Sequence, residues 1–322
     1  MINEEVNSMS SYLIRRLMQL IPVLLIASLG SFALLHFIPG DPIAQMLGDD
    51  ATLEDIMAVR ARYGLDKPFL TQYLLWLTRI LQGDLGYSYI SGASVRDLIF
   101  DRLPATAELT FFTFFLVIFI GIPLGIIAAV NSGNIIDYSI TSSTSIIMSM
   151  PGFWRGILLI LIFSTTLRWL PPSGRIPFFM NPIVAIRFLI LPVVTFSLGH
   201  IASITRFSRF ATLDVLQEDY LRTARAKGLT NMQVIINHAL RNAALPILTV
   251  LGINFGHMFA GAVIIEVVFA WPGIGSLLID SIKYRDYMIV QGILIFVVFI
   301  FVIVNLLVDL IYSWLNPKIV YN

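Results

Sequence analysis

Uncharged apolar runs recur along this chain at a length that only a bilayer readily accommodates. A crossing helix needs roughly 20 apolar residues, at about 1.5 Å of rise each. Leu17–Gly40 follows Arg15 and Arg16, and Leu109–Ile136 follows Glu108. Tyr138–Trp154 is interrupted by Arg155 and resumes as Gly156–Leu167. Phe188–Thr205 lies between Arg187 and Arg206, Asn242–Ile265 ends at Glu266, and Tyr287–Val308 ends at Asp309. Hydrophobic residues make up 57% of the chain and charged residues 13%. A soluble domain carries about 25% charge, so the expectation is a polytopic, all-α membrane protein.

The third run has two readings. Residues 138–150 give about 20 Å of helix, too short to cross alone. One long helix broken near Pro151-Gly152 fits better, because proline removes a backbone donor and kinks the axis. That makes six transmembrane helices, with both termini on one side. The first run exceeds the roughly 7–15 residues of a signal-peptide core. It ends in HFIPGDP, with no small-residue cleavage site, and reads as an uncleaved anchor.

Charge orients the bundle. The loop Asp41–Glu108 is excluded, since loops beyond about 60 residues cross regardless of charge. One side then carries nine basic residues: Arg15, Arg16, six from Arg206 to Arg241, and Lys318. The other carries five, namely Arg168, Arg175, Arg187, Lys283 and Arg285. The termini and the segment after Arg206 are expected in the cytoplasm. Arg155 falls within the broken span and belongs to neither side.

The long outer loop is patterned. Thr52-Leu53-Glu54-Asp55 resembles a capping box, followed by Ile56 and Val59, with Gly64 as a stop. Pro68 opens a second helix and Gly83 ends it. Tyr73, Leu74, Leu77, Ile80 and Leu81 line one stripe of that helix. It is too short to span and is expected to form an external or interfacial cap.

One cytoplasmic stretch, EDYLRTARAKGLTNMQVIINHALRNAALP from Glu218 to Pro246, is too polar for lipid. Leu216, Tyr220 and Ala224 recur at helical spacing. Gly228 suits the left-handed end of a helix, and Thr230 can cap the next. Met232, Ile235, Ile236, Ala239 and Leu240 then form an apolar face, and Pro246 opens the next span. Spacing alone does not separate a projecting knob from a solvated loop.

Chemistry-bearing patterns are sparse. There is no cysteine, which removes disulfides and thiolate sites. The four histidines, His36, His200, His238 and His257, are scattered, and no H-E-x-x-H or G-x-x-x-x-G-K-[ST] occurs. A net charge of +1 implies no nucleic-acid partner. A membrane enzyme would need paired carboxylates, Ser/His pairs or clustered histidines, and a secondary transporter often shows matching broken helices; neither pattern is present. Polar groups inside spans can line a pathway. Asn254 and His257 share a face of the fifth span, and Ser145 and Ser149 share one on the third. Helix–helix hydrogen bonding is the competing reading. Gly121/Gly125 and Gly252/Gly256 read as packing seams, and Glu266 and Asp309, at span ends where hydration is cheap, as structural residues.

The residues from Arg222 to Leu229 resemble the cytoplasmic signature of ABC-importer permeases, E-A-A-x-x-x-G followed by I-x-L-P. Aligned on Gly228, the leading positions are Arg222, Thr223 and Ala224, so the glutamate is missing. Both this wording and the wider separation of Pro246 are similar to the dipeptide, oligopeptide and nickel branch. PGDP (Pro39–Pro42), YGLDKPFLTQY (Tyr63–Tyr73), QGDLGYS (Gln82–Ser88) and RLPATAELT (Arg102–Thr110) resemble that branch as well. So do MSMPGFW (Met148–Trp154) and EVVFAWPGIGSLLIDSIKYRDY (Glu266–Tyr287); Met288 stands where the branch commonly has proline.

The resemblance implies a type I ABC importer permease fold in a bacterial cytoplasmic (inner) membrane. It implies the first permease of a heterodimeric pair, working with a second homologous permease, two cytoplasmic ABC ATPases and an extracytoplasmic solute-binding protein. No cofactor is expected in this chain; ATP and Mg would be bound by the ATPases. Arg222, Thr223, Ala224, Arg225, Lys227, Gly228 and Leu229 would couple to the ATPase, whose closure would push the segment and drive alternating access. The implied domains are an anchor over 1–40, a helical outer loop over 41–104, and a permease core over 105–316 with the coupling segment at 210–242. The expected substrate is a dipeptide or short peptide, with glutathione or a nickel or metal chelate as the alternative.

Overall fold

A computed structural model describes residues 18–33, 52, 54, 57 and 66–315, and ten helices with bounds are found among those described residues. They are α1 (Met18–Ala33), α2 (Phe69–Leu81), α3 (Val95–Val130), α4 (Ile135–Ser149), α5 (Gly152–Thr166), α6 (Pro182–Leu216), α7 (Asp219–Ala226), α8 (Asn231–Val268), α9 (Ile274–Lys283) and α10 (Tyr287–Leu315). Among the described residues, α3, α6, α8 and α10 are long and apolar enough to cross a membrane. The α4–α5 pair counts as a fifth span, bent by 100°. The first expected span is represented by the shorter α1. Its flanks lie outside the described residues, as does most of the expected helix around Ile56, of which Glu54 and Met57 are described and helical.

The break falls where the sequence puts it, but it is far sharper than a proline kink. Met150 and Pro151 are both extended, with ψ of 128° and 142°. The residue before a proline is pushed out of the helical region, so two consecutive extended residues redirect the axis.

Span limits shift elsewhere. Helix α3 starts at Val95 and stops at Val130, so Ile135 and Ile136 open α4 rather than closing the second span. Helix α6 runs past Arg206 to Leu216, 35 residues in all. Pro246 does not open the fifth span; it lies inside α8. Its ring removes the donor for the carbonyl of Asn242, and Asn242 is exposed.

The chain divides into two compact units: Met1–Pro104 with Ser276–Val302, and Ala105–Gly275 with Ile303–Asn322. In the first, α2 packs on α1. The Phe32 ring lies 5.3 Å from Phe69, 5.6 Å from Tyr73 and 5.3 Å from Trp76. The Tyr73 and Ser28 hydroxyls hydrogen-bond at 2.8 Å. Pro68 and Gly83 bound α2 as expected, with Gly83 at φ +81°. Of the expected stripe, Tyr73 is buried and Leu77 and Ile80 are half-buried, whereas Leu74 and Leu81 are exposed; Trp76 takes part instead. In the same unit, Ser88 donates to the buried Asp286 carboxylate.

The second unit is built around α6. Gly121 and Gly125 of α3 meet it along one seam: a Cβ at Gly125 would lie 2.5 Å from the Thr205 carbonyl oxygen. The Thr205 hydroxyl donates to the Gly121 carbonyl at 3.1 Å. Arg209 of α6 grips Asp137 of α4 with two bonds, 2.6 and 2.7 Å, while the Gly133 N–H donates to the same carboxylate at 3.0 Å. Gly252 packs against Val308 with no room for a Cβ. Both glycine seams therefore act in packing, as read from the sequence.

Glu266 lies at a span end but is fully buried there. The Thr106 hydroxyl donates to it at 2.6 Å, and the chain folds back so that the Trp271 N–H donates to the Glu266 carbonyl at 2.7 Å. The Trp271 indole N–H donates to the Ala105 carbonyl at 2.8 Å. Asp309 has no described side chain.

Candidate functional site: an exposed turn and a polar face

The turn between α7 and α8 is a Schellman motif. The Leu229 N–H donates to the Ala224 carbonyl at 3.4 Å, and the Gly228 N–H to the Arg225 carbonyl at 3.0 Å. Gly228 sits at φ +86°, a conformation that glycine adopts without steric cost. A Cβ there would meet nothing within 4 Å. The requirement for glycine is thus conformational and not one of space.

Thr230 then starts α8 with a full capping box. The Gln233 N–H donates to the Thr230 hydroxyl at 3.4 Å, and the Thr230 N–H donates to the Gln233 side-chain oxygen at 3.0 Å. The motif is braced from within by its own small core of Leu221, Ala224, Val234 and Ala239. Asn242 donates to the Tyr220 hydroxyl at 2.7 Å, tying α7 to α8.

The seven residues expected to couple divide by burial. Arg222, Thr223, Arg225, Lys227, Gly228 and Leu229 are exposed, and Ala224 is buried under them. Arg222 pairs only with Asp219, at 3.3 Å on the surface; such exposed pairs contribute about 0–1 kcal/mol. Of the apolar face expected on α8, Ala239 is buried and Ile235 and Leu240 are half-buried, but Met232 and Ile236 are exposed and Val234 is buried instead. A π-helical turn at Ile235–Ala239 changes the residue count per turn and moves the stripe. The result is an exposed apolar edge, Leu229, Met232 and Ile236, beside the basic residues of α7.

The polar groups inside the spans are arranged differently from the expectation. Ser145 and Ser149 donate to carbonyls of their own helix, at 2.8 and 2.9 Å. Asn254 donates to the Val250 carbonyl at 2.9 Å and, through its side-chain oxygen, meets Nδ1 of His200 at 3.4 Å. His257, one turn further along α8, is exposed. The Arg155 guanidinium lies against Gly199, the residue before His200. The structure therefore joins Asn254 to His200 and sets Arg155 beside them. Arg155 was legible as a charge inside a span, which is costly unless functional; His200 carried no such signal. Among the described residues, no group of three or more acidic or histidine side chains could hold a metal ion.

Comparison with known proteins places the chain. Residues 121–321 match the model of the binding-protein-dependent transport system inner membrane component, and residues 9–110 match that family's N-terminal component. A putative peptide transport system permease protein of Brucella suis is 38% identical over 314 residues, covering 98% of this chain and 100% of that one. A probable peptide ABC transporter permease of Sinorhizobium fredii is 41% identical, covering 97% and 100%. The dipeptide transport system permease of Escherichia coli K12 is 40% identical over 335 residues, covering 97% and 99%. In fold, the chain is similar to an inward-facing methionine ABC transporter, with a TM-score of 0.56 at 19% identity, covering 68% of this chain and 96% of that one. A match over this share of the chain shows that the protein belongs to the binding-protein-dependent transport system inner membrane components.

Proposed function

We propose that this chain is one of two permease subunits in an ATP-driven importer of dipeptides or short peptides. The single observation that carries the coupling role is the exposed Gly228 turn, braced between α7 and the unbroken α8. A turn this well capped, set at one end of a membrane-length helix, can pass a push into the bundle. Its basic side chains and apolar edge suit a protein groove in the ATPase.

The peptide substrate is supported by the names of relatives that match almost the whole chain at 38–41% identity. A second permease, two cytoplasmic ATPases holding ATP and Mg, and an external binding protein complete the machine on this reading. Hydrolysis belongs to the ATPases, and this chain has no phosphate-cradling loop of its own. Both termini and the Gly228 turn face the cytoplasm, in accord with the basic excess on that side. The coupling segment 210–242 lies within a permease core of residues 105–316.

Two experiments test the reading. Gly228→Val should abolish uptake while leaving membrane insertion intact, and normal uptake would remove the coupling assignment. Mass spectrometry of the ligand co-purifying with the cognate binding protein should find short peptides. A bound nickel chelate would overturn the substrate.

A further inference from the structure

Arg155 is a cation inside a span, unmatched among the described residues. Its Nε and Nη1 are buried and have no hydrogen-bond partner among the described residues. The guanidinium lies over Gly199 of α6, where a Cβ would fall 2.9 Å from Nη2 and 3.1 Å from Nη1. Glycine at 199 thus makes the space the guanidinium occupies. The next residue, His200, meets Asn254 of α8 at 3.4 Å. Three helices therefore bring polar side chains together about halfway along α6.

Their own helical segments bring no anion with them. The sequence from Tyr138 to Leu167 contains no Asp or Glu, and neither does 182–213 or 231–265. Glu266 is engaged by Thr106 at the far end of α8. A charge held at membrane depth is costly, and such residues mark pathways and pair with a counter-charge. His257, exposed on the same side of the cluster, is equally unsuited to face lipid.

We propose that Arg155, with His200 and Asn254 beside it, binds the C-terminal carboxylate of the peptide as it crosses. The proposal rests on the peptide-permease reading and deepens it. A planar guanidinium with unpaired N–H donors matches a carboxylate, and each such charge-assisted bond is stronger than a neutral one. The imidazole and amide can bind the neighbouring peptide group. Recognition of a group common to all peptides would let side chains vary freely.

The test uses the complete importer with both permeases and ATPases, in detergent for binding and, with its binding protein added, in proteoliposomes for uptake. Binding of dialanine and of dialanine amide is measured on the purified complex without the binding protein. The wild type should bind dialanine at least ten-fold more tightly than the amide. Arg155→Gln should lose that preference by weakening dialanine alone, and Arg155→Lys should keep part of it. Uptake of labelled dialanine should fall at least ten-fold in the glutamine variant. Equal binding of acid and amide by the wild type would overturn the proposal without need of any variant. So would an Arg155→Gln complex that no longer assembles with the second permease, which would make the arginine an intersubunit ion-pair partner. A wild type that takes up no dialanine would overturn the peptide reading itself, and the proposal with it.

Discussion

The Asn242 side chain donates to the Tyr220 hydroxyl at 2.7 Å, joining the short α7 to the helix that continues as a span. The bond is exposed, and a single net hydrogen bond contributes about 0.5–1.5 kcal/mol. Tyr220→Phe should therefore loosen the turn without unfolding it. Amide hydrogen exchange over residues 219–230 should accelerate several-fold while the spans stay protected, and uptake should fall only modestly.

Gly228 separates conformation from contact. With open space around the missing Cβ, alanine meets only the cost of the left-handed region, roughly 1–2 kcal/mol. Asparagine tolerates that region better, and β-branched valine worse. Uptake should follow the order glycine, asparagine, alanine, valine. Equal loss in all three variants would show that a partner's surface, and not φ, demands the glycine.

Gly125 is constrained by its neighbour across the helix seam. Even alanine there would press on the Thr205 carbonyl, with Ser208 Cβ at 2.6 Å from the added carbon. Overpacking of this kind costs about 1–3 kcal/mol. Gly125→Ala should lower the thermal midpoint of the purified protein, and Gly125→Leu should reduce the amount recovered from membranes.

Asp137 and Arg209 form a partly buried, bidentate pair, with the side chains 4% and 20% exposed. Removing one partner strands the other charge, at a cost below the roughly 3–5 kcal/mol of a fully buried pair. Asp137→Ala should destabilise strongly. The double variant Asp137→Ala with Arg209→Met should recover much of the loss, as measured by a double-mutant cycle in thermal unfolding.

Local chemistry was legible in the sequence wherever one residue type dictates the backbone. Pro151 fixed the break, Pro68 and Gly83 bounded α2, and Gly228 with Thr230 defined the turn. The apolar face of α8 was misread because the π turn at Ile235–Ala239 shifts the 3.6-residue period on which such faces are read. The burial of Glu266 at its span end was not legible, because nothing local announces that Trp271 folds back toward α3 and closes it from water. The meeting of Arg155 with His200 was invisible for the same reason. Residues on different helices become neighbours only through the sharp α4–α5 bend and the close approach at Gly199.

The continuity of α8 from Asn231 to Val268 sets an angular register between its two ends. Each residue advances a helix by about 100°. The direction in which the Gly228 turn projects is thereby locked to the direction in which Asn254 and His257 point. One residue inserted between them would leave both features intact and aim one of them a quarter-turn or more away. The chain length between turn and polar face is thus itself a fitted dimension, independent of which apolar residues fill it.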